Sequence, residues 1–420
     1  MRIESVAADN NFFVSLDIGS SKIVILLAEE IEGQLKIFGH GIGPSAGVKK
    51  GLIVDSEKTS QAINAVVEKA YSSCNTKFFN VSVNISDPHL TIINRKGQVL
   101  IANSVITEKD VELALKSAKA VATSTNKQVI NSVPNSFIID KDPITHRGVE
   151  VDKPVGLEAK TLEANMHIVI ASNQAVGSIE KSIRKSNLGT SMIVLNSMAS
   201  SEPYLSQDEK DNGVCLVDIG SGVTNISVFT NGGITHSAIF KSAGDQITDE
   251  IAYAFNTSFN EAERLKIQYG DAQIKSLRED QLIKFKPIGG LEECYLSSHS
   301  LVEVIEQAYL DLFSLIKQNL KSKKLDRSLK SGYVLTGAGS KIQGCDELFL
   351  RSFRVRSKLG QVDTEKIDGN EMIISDPTYA CALGLLLYEP DESYLEELQP
   401  DNTVGFMGKI GKIKENLFKF

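Results

Sequence analysis

Residues 214–229 read V-C-L-V-D-I-G-S-G-V-T-N-I-S-V-F. Two apolar, β-branched runs flank a turn, Gly220-Ser221-Gly222, which is opened by a single carboxylate, Asp218. Beyond the turn, Val223, Thr224, Ile226, Val228 and Phe229 read as a second strand and not as a helix. That separates the stretch from Rossmann and Walker loops, whose glycines lead into a helix N-terminus. A Gly-rich hairpin can still offer backbone N–H groups and hydroxyls to phosphates, because glycine lets the backbone come close.

Alone, such a hairpin is as easily an ordinary Gly turn. A second copy lies about half a chain away: F-V-S-L-D-I-G-S-S-K-I-V-I-L-L from Phe13, with the same D-I-G-S core at Asp17–Ser20. The recurrence predicts two similar lobes, each supplying one phosphate clamp to a cleft between them. A divalent cation held through water by Asp17 and Asp218 would bridge to the phosphates.

At 420 residues the chain exceeds a usual single core. The net charge of −8 argues against a general nucleic-acid binder. Cys74, Cys215, Cys294, Cys345 and Cys381 are scattered, as expected of reduced thiols in a cytoplasmic protein, and the six histidines show no zinc spacing. Met1–Asn11 lacks the apolar core of a signal peptide. No apolar run reaches the roughly 18 residues of a spanning helix, so membrane contact is expected to be peripheral.

The glycines of G-H-G-I-G-P-S-A-G-V-K-K-G-L-I-V-D, residues 39–55, match no phosphate-loop spacing and read as a surface loop. A helix follows over about residues 56–72 with Ser56 as N-cap, then a strand at 79–85. From Ser86 the pattern becomes that of a small α+β insertion. It has strands at 90–94 and 98–101, a helix capped by Thr107, and strands at 128–133 and 136–140. Asp140, Asp142 and Asp152 read there as turn residues. An apolar strand at 165–172 resumes the first lobe, a helix at 176–185 and a strand at 192–195 follow, and 207–212 reads as an acidic loop. After the second hairpin, Gly244 and Asp245 enter a helix to Phe255, and a further helix ends at Gly270. Glu263 and Lys266 share a face of the latter; they could reach a ribose or base, but spacing favours mutual pairing. Strand-like pieces at 282–285 and 293–296 lead into a long helix, 301–320. Gly337-Ala338-Gly339-Ser340 sits between a strand and a helix, where it would let the chain lie flat against an adenosine.

Two D-I-G-S hairpins, the G-A-G-S-K turn and the helix opened by Asp376-Pro377-Thr378-Tyr379-Ala380 resemble the actin, hexokinase and heat-shock chaperone ATPase superfamily. Within it, G-V-C-L-V-D-I-G-S-G, A-G-D-Q-I-T-D-E-I-A, E-A-E-R-L-K, Y-V-L-T-G-A-G and Y-A-C-A-L-G-L-L-L-Y resemble the FtsA family of bacterial cell-division proteins over nearly the whole chain. The resemblance implies an α/β, two-lobed actin-like ATPase fold with a small α+β subdomain inserted in the first lobe. It places the first lobe at 12–85, 166–199 and 376–388, and the insertion at 86–165. The second lobe takes 200–245 and 321–375, with its subdomain 2B at 246–320.

The resemblance further implies ATP or ADP with Mg²⁺, held by Asp17, Gly19, Ser20, Ser21 and Lys22 and by Asp218, Gly220, Ser221, Gly222, Thr224 and Asn225. Gly244 and Asp245 would lie close by, and Glu263, Lys266 and Gly337–Ser340 would frame the nucleoside. Self-association into filaments and contact with the FtsZ C-terminal tail and other division proteins follow from it, at the cytoplasmic face of the inner membrane at the division site. Three departures stand out. Ser221 and Asn225 replace the Gly and Asp of the usual G-G-G-T-x-D, and Leu195-Asn196-Ser197 lacks the acidic residue that the chaperone ATPases carry before the corresponding helix. These favour holding nucleotide over cleaving it, at most as a slow ATPase. Gln307 and Ala308 replace the Pro-Arg that helps relatives hold the acidic FtsZ tail, so that contact is expected to be rearranged.

Residues 389–403 read as a flexible acidic linker: six acids and no Lys or Arg lie between Glu389 and Asn402. In 404–420, Phe406, Ile410, Ile413, Leu417 and Phe420 fall on one helical face, widened by Met407 and Phe418. Lys409, Lys412, Lys414 and Lys419 against Glu415 leave this segment basic. It suits an amphipathic helix lying in an anionic membrane surface, the alternative being a helix docked on a protein. Two other functions share the fold class. A sugar or acid kinase would need a positioned carboxylate base, which no motif supplies, and a pilus-assembly relative has no use for the basic terminal helix.

Overall fold

The computed structural model describes residues 12–120, 125–142, 144–145, 147–289 and 293–389. The linker beyond Glu389 and the terminal amphipathic segment lie outside them. The two hairpins seed two sheets of the same plan. In the first lobe, Phe12–Ile18, Lys22–Ile31 and Gln34–Pro44 form an antiparallel meander. Parallel strands Asn80–Ile85 and Gly189–Leu195 extend it on one side, and Ile367–Asp368 closes the other. In the second lobe, Val214–Ile219, Thr224–Thr230 and Gly233–Phe240 form the meander, extended by parallel Gly332–Thr336 and Ser357–Leu359.

Every residue of Val214–Ile219 is buried. Val214 and Leu216 join the core shared with the first lobe, while Cys215, Val217 and Ile219 join a second core under the helices of residues 244–322. A strand covered on both faces explains the unbroken apolar run.

The expected surface loop at 39–55 is corrected: Gly39, Gly41 and Gly43 belong to the Gln34–Pro44 strand. Their missing side chains face the helix Ser56–Cys74; a Cβ on Gly41 would stand 2.2 Å from the carbonyl oxygen of Val66. Glycine here admits a helix backbone onto a sheet, a use that looks like loop composition in sequence. That helix is capped by Asp55, whose carboxylate accepts from the N–H groups of Glu57 and Lys58, and not by Ser56. Residues 207–212 form a short helix with a capping box between Ser206 and Glu209, not a loop.

The insertion is a four-stranded antiparallel sheet covered by helix Glu108–Lys119, with the Thr107 cap as expected. Its strands are longer than the sequence pieces. Thr91–Leu100 is one strand, and Lys127–Ile139 runs through Pro134 where the pairing register shifts. Thr161–Ser172 is continuous across residues 165 and 166, and its Val169 and Ala171 already belong to the first-lobe core. The insertion also touches the second lobe. Asn94 donates to the Thr235 carbonyl at 2.7 Å, and a Cβ on Gly233 would meet the Asn135 carbonyl at 2.1 Å.

Candidate functional site

Both hairpin turns close in the same way. The Gly19 N–H donates to the Lys22 carbonyl and the Gly220 N–H to the Val223 carbonyl, each at 3.0 Å. No acceptor among the described residues takes the N–H of Ser20, Ser21, Ser221 or Gly222. The turns face each other: a Cβ on Gly222 would stand 2.4 Å from the Ser20 hydroxyl oxygen. Two nests of unused donors from two lobes thus converge on one place, a geometry suited to an anion.

Behind them sit Asp17 and Asp218, each 6% exposed. Sequence reasoning missed what joins them. Asn84 donates to Asp17 at 2.7 Å and to the Asn196 side-chain oxygen at 3.2 Å. Asn196 in turn donates to Asp218 at 2.6 Å, and the Ser200 hydroxyl adds a bond at 2.9 Å. Burial pushes Asp17 up to about 6, with Lys22 pulling it back, Asp218 raising it further, and Cys381 and Asn84 stabilising the anion. Burial raises Asp218 as well, against its bonds from Ser200 and Asn196. Carboxylates held this way favour a nearby cation. Among the described residues no three His, Cys, Asp or Glu side chains gather as a ligand set, so a cation here would rely on water and phosphate oxygens.

Lys22 stands by both acids, its charge acting on Asp17 and Asp218, and it also has partners on the far side. Its ammonium donates to the Thr378 carbonyl and lies 4.6 Å from the centre of the Tyr379 ring. Burial lowers its pKa, against the pull of Asp17 and Asp376. Gly337 has a φ of +83°, and a Cβ there would stand 2.3 Å from Asp218 Oδ1. A Cβ on Gly339 would meet Ile219 at 2.4 Å. The space these glycines leave is taken by the second hairpin. Ser340 turns its hydroxyl back to the Gly337 carbonyl at 2.8 Å, and Ala338 is exposed.

Gly244 and Asp245 dock the next helix on the second turn, donating to the carbonyls of Gly220 at 3.1 Å and Ser221 at 2.7 Å. Thr224 adds a bond from its hydroxyl to the Ser242 carbonyl at 2.8 Å. Glu263 and Lys266 pair at 2.7 Å, and Lys266 also donates to the Gly244 carbonyl at 2.9 Å and Thr248 at 2.6 Å. The pairing favoured by spacing is present, but as an inter-helix tie beside the turn. Asn225 is buried opposite Asp218, and its side-chain oxygen has no partner among the described residues.

Residues 215–384 match the family model described as cell division protein FtsA, and residues 88–170 match the SHS2 domain inserted in FtsA. The chain is 36% identical over 376 residues to the cell division protein FtsA of Pseudomonas aeruginosa, covering 89% of this chain and 88% of the relative. It belongs to the FtsA family.

The FtsA of Escherichia coli strain K12 is 29% identical over 406 residues, 95% of each chain. Among solved structures, a PilM–PilN type IV pilus biogenesis complex matches at a TM-score of 0.63 and 18% identity, over 89% of this chain and 97% of that one. MreB5 of Spiroplasma citri bound to ADP matches at a TM-score of 0.55 and 14% identity, over 93% and 99%. These likenesses show the fold, the two-lobed one of actin-like ATPases. The sequence relatives place this chain with FtsA and not with the pilus-assembly alternative. No helix among the described residues is long and apolar enough to cross a membrane.

Proposed function

We propose that this FtsA-family chain binds ATP or ADP between its two hairpin turns, with Mg²⁺ water-bridged to Asp17 and Asp218. In that state it assembles with copies of itself into actin-like filaments. It tethers the FtsZ ring to the cytoplasmic face of the inner membrane at the division site, through residues 404–420. The observation that carries the reading is the approach of Ser20 to Gly222 with unused N–H donors on both turns.

In this arrangement the turns hold phosphate oxygens, and Asn84 and Asn196 keep the two carboxylates aimed at the same space. Mg²⁺ would supply the charge that neutralises phosphates beside two buried acids. An amide at Asn196 cannot take a proton from water, which supports retention of nucleotide over rapid cleavage. The FtsZ tail would meet the subdomain of residues 246–320. There Gln307 is exposed and donates to Asp311 at 2.9 Å, so a tail contact would have to displace that bond.

The test is a titration of the full chain with fluorescent ATP and ADP, with and without Mg²⁺, beside electron microscopy on an anionic lipid monolayer with ATP and with a non-hydrolysable analogue. Mg²⁺-dependent binding and ordered assemblies are expected. Absence of binding refutes the cleft; binding without any assembly refutes the filament.

A further inference from the structure

Two lysines are placed by sequence at the nucleotide, and both already have protein partners: Lys22 has Thr378 and Tyr379, Lys266 has Gly244, Thr248 and Glu263. A third stands where the two turns meet. Strands Val48–Lys49 and Leu52–Ile53 pair as a two-residue hairpin, Lys49 opposite Leu52, with Lys50 and Gly51 at its tip. Their φ values are +47° and +77°, the conformation a tight hairpin turn demands and one a lysine seldom adopts.

The tip is tied to the first turn. Ser45 N–H donates to the Ser21 carbonyl at 2.9 Å, and Gly51 N–H donates to the Ser20 hydroxyl at 3.1 Å. It also abuts the second turn, since a Cβ on Gly222 would lie 3.0 Å from Lys50 Cα. A Cβ on Gly51 would stand 2.2 Å from the Ser86 carbonyl, so the tip is seated and not free to swing. Lys50 is exposed. Its charge reaches Asp245, where it opposes the rise that burial causes.

We propose that this hairpin is a third phosphate-binding element, in which Lys50 meets the outermost phosphate of a nucleoside triphosphate and so distinguishes triphosphate from diphosphate. The inference rests on the nucleotide reading of the cleft. Gly337–Ser340 pack on the second hairpin and Lys266 ties Gly244 beside its turn, so a nucleoside seated on that second-lobe side would run its phosphates toward the junction of Ser20, Gly222 and Lys50. A diphosphate bound in the same frame still lies between the two turns but ends one group short of Lys50. The Gly51 bond also fixes the Ser20 hydroxyl, so the tip orders the first clamp as well.

The experiment is competition of ATP and of ADP against a fluorescent nucleotide on the full chain with Mg²⁺, for the native protein, Lys50→Gln, Lys50→Asn, Lys50→Arg and Lys49→Gln. Lys50→Asn removes the charge with a residue that tolerates positive φ, so the turn is kept. Both neutral variants are expected to weaken ATP about tenfold and ADP by less than about twofold, the effect of one charge-assisted hydrogen bond. Lys50→Arg and Lys49→Gln are expected to stay near native. Equal losses for the two nucleotides, or none, overturn the proposal while leaving the cleft intact. A native chain that binds neither nucleotide overturns the cleft reading and this inference together.

Discussion

Asn196 Nδ2 lies 2.6 Å from Oδ2 of Asp218. The same amide accepts from Asn84 at 3.2 Å, and Asn84 donates at 2.7 Å to Asp17, so two neutral side chains join acids from two lobes. An amide can donate and accept at once; a carboxylate in either middle position would only add charge to a buried cluster.

Asn84 carries most of this chain, because its oxygen also accepts the Ile18 N–H at 2.8 Å. Asn84→Ala strands that N–H and an oxygen of Asp17 in a buried setting. Urea unfolding of the nucleotide-free protein is expected to show a loss of about 2–3 kcal/mol, the range for buried groups left unpaired. A loss below about 0.5 kcal/mol would mean that water replaces the amide and that the chain of bonds is not structural.

His167 lies where the insertion meets the second lobe, its Nδ1 2.7 Å from Asn94 Oδ1 and its Nε2 3.1 Å from the Ser237 hydroxyl. Burial, with His236 adding, holds its pKa down to about 4 from the ordinary 6.5. In acid the unfolded chain takes up a proton that the folded ring refuses. The stabilisation is therefore complete above the unfolded pKa and is lost as pH falls from 6.5 toward 4, to a limit of about 3 kcal/mol. Urea midpoints at about pH 7.5, 6 and 5 should fall steeply for the native chain and less steeply for His167→Gln. Parallel slopes would remove His167 as the cause.

The hairpins were legible because each is a buried apolar strand, an acid and a Gly/Ser turn, and because the pattern occurs twice. Asn84 and Ser200 carried no such signal and Asn196 only the absence of an acid; their partners on other elements lie 18 to 112 positions away. Strand Gln34–Pro44 was missed because glycine at alternate positions serves a helix contact that only the folded chain supplies. The Lys49–Leu52 tip was hidden in the same stretch. Pro134 split a strand in sequence that the structure keeps whole by shifting register. The acidic run at 207–212 looked like a loop because its capping box starts one residue before it, at Ser206.

That difference between glycines gives a paired prediction. Gly41→Ala drives a Cβ to 2.2 Å from the Val66 carbonyl and 2.9 Å from the Ala70 N–H nitrogen, both helix backbone that cannot step aside locally. A loss of about 1–3 kcal/mol is expected, with helix Ser56–Cys74 displaced from the sheet. Gly177 lies inside helix Asn173–Arg184 with nothing within 4 Å of its built Cβ. Gly177→Ala should stabilise by about 0.5–1 kcal/mol. Thermal melts of the two variants should move in opposite directions; a shared direction would show that crowding at Gly41 is relieved by relaxation.

The tail gives the last prediction, from sequence alone, since residues 390–420 lie outside the described part. At about 1.5 Å per residue a helix over the last seventeen residues is about 25 Å long, and its charges disfavour spanning. A helix there lying flat would bury one apolar face, and each lysine would add about 1 kcal/mol with anionic lipid. The acidic linker before it would be repelled by the same surface, which keeps the body a short distance away. Truncation after Asp401 should therefore abolish pelleting with anionic vesicles and leave nucleotide affinity unchanged, because the residues placed at the cleft, from Asp17 to Cys381, all precede the cut. Replacing Ile410 and Ile413 by Asp should do the same with the tail still present, which separates loss of apolar burial from loss of length. If either form still pellets, the anchor lies elsewhere in the chain; if the truncated form loses nucleotide binding too, the segment is docked on its own body instead.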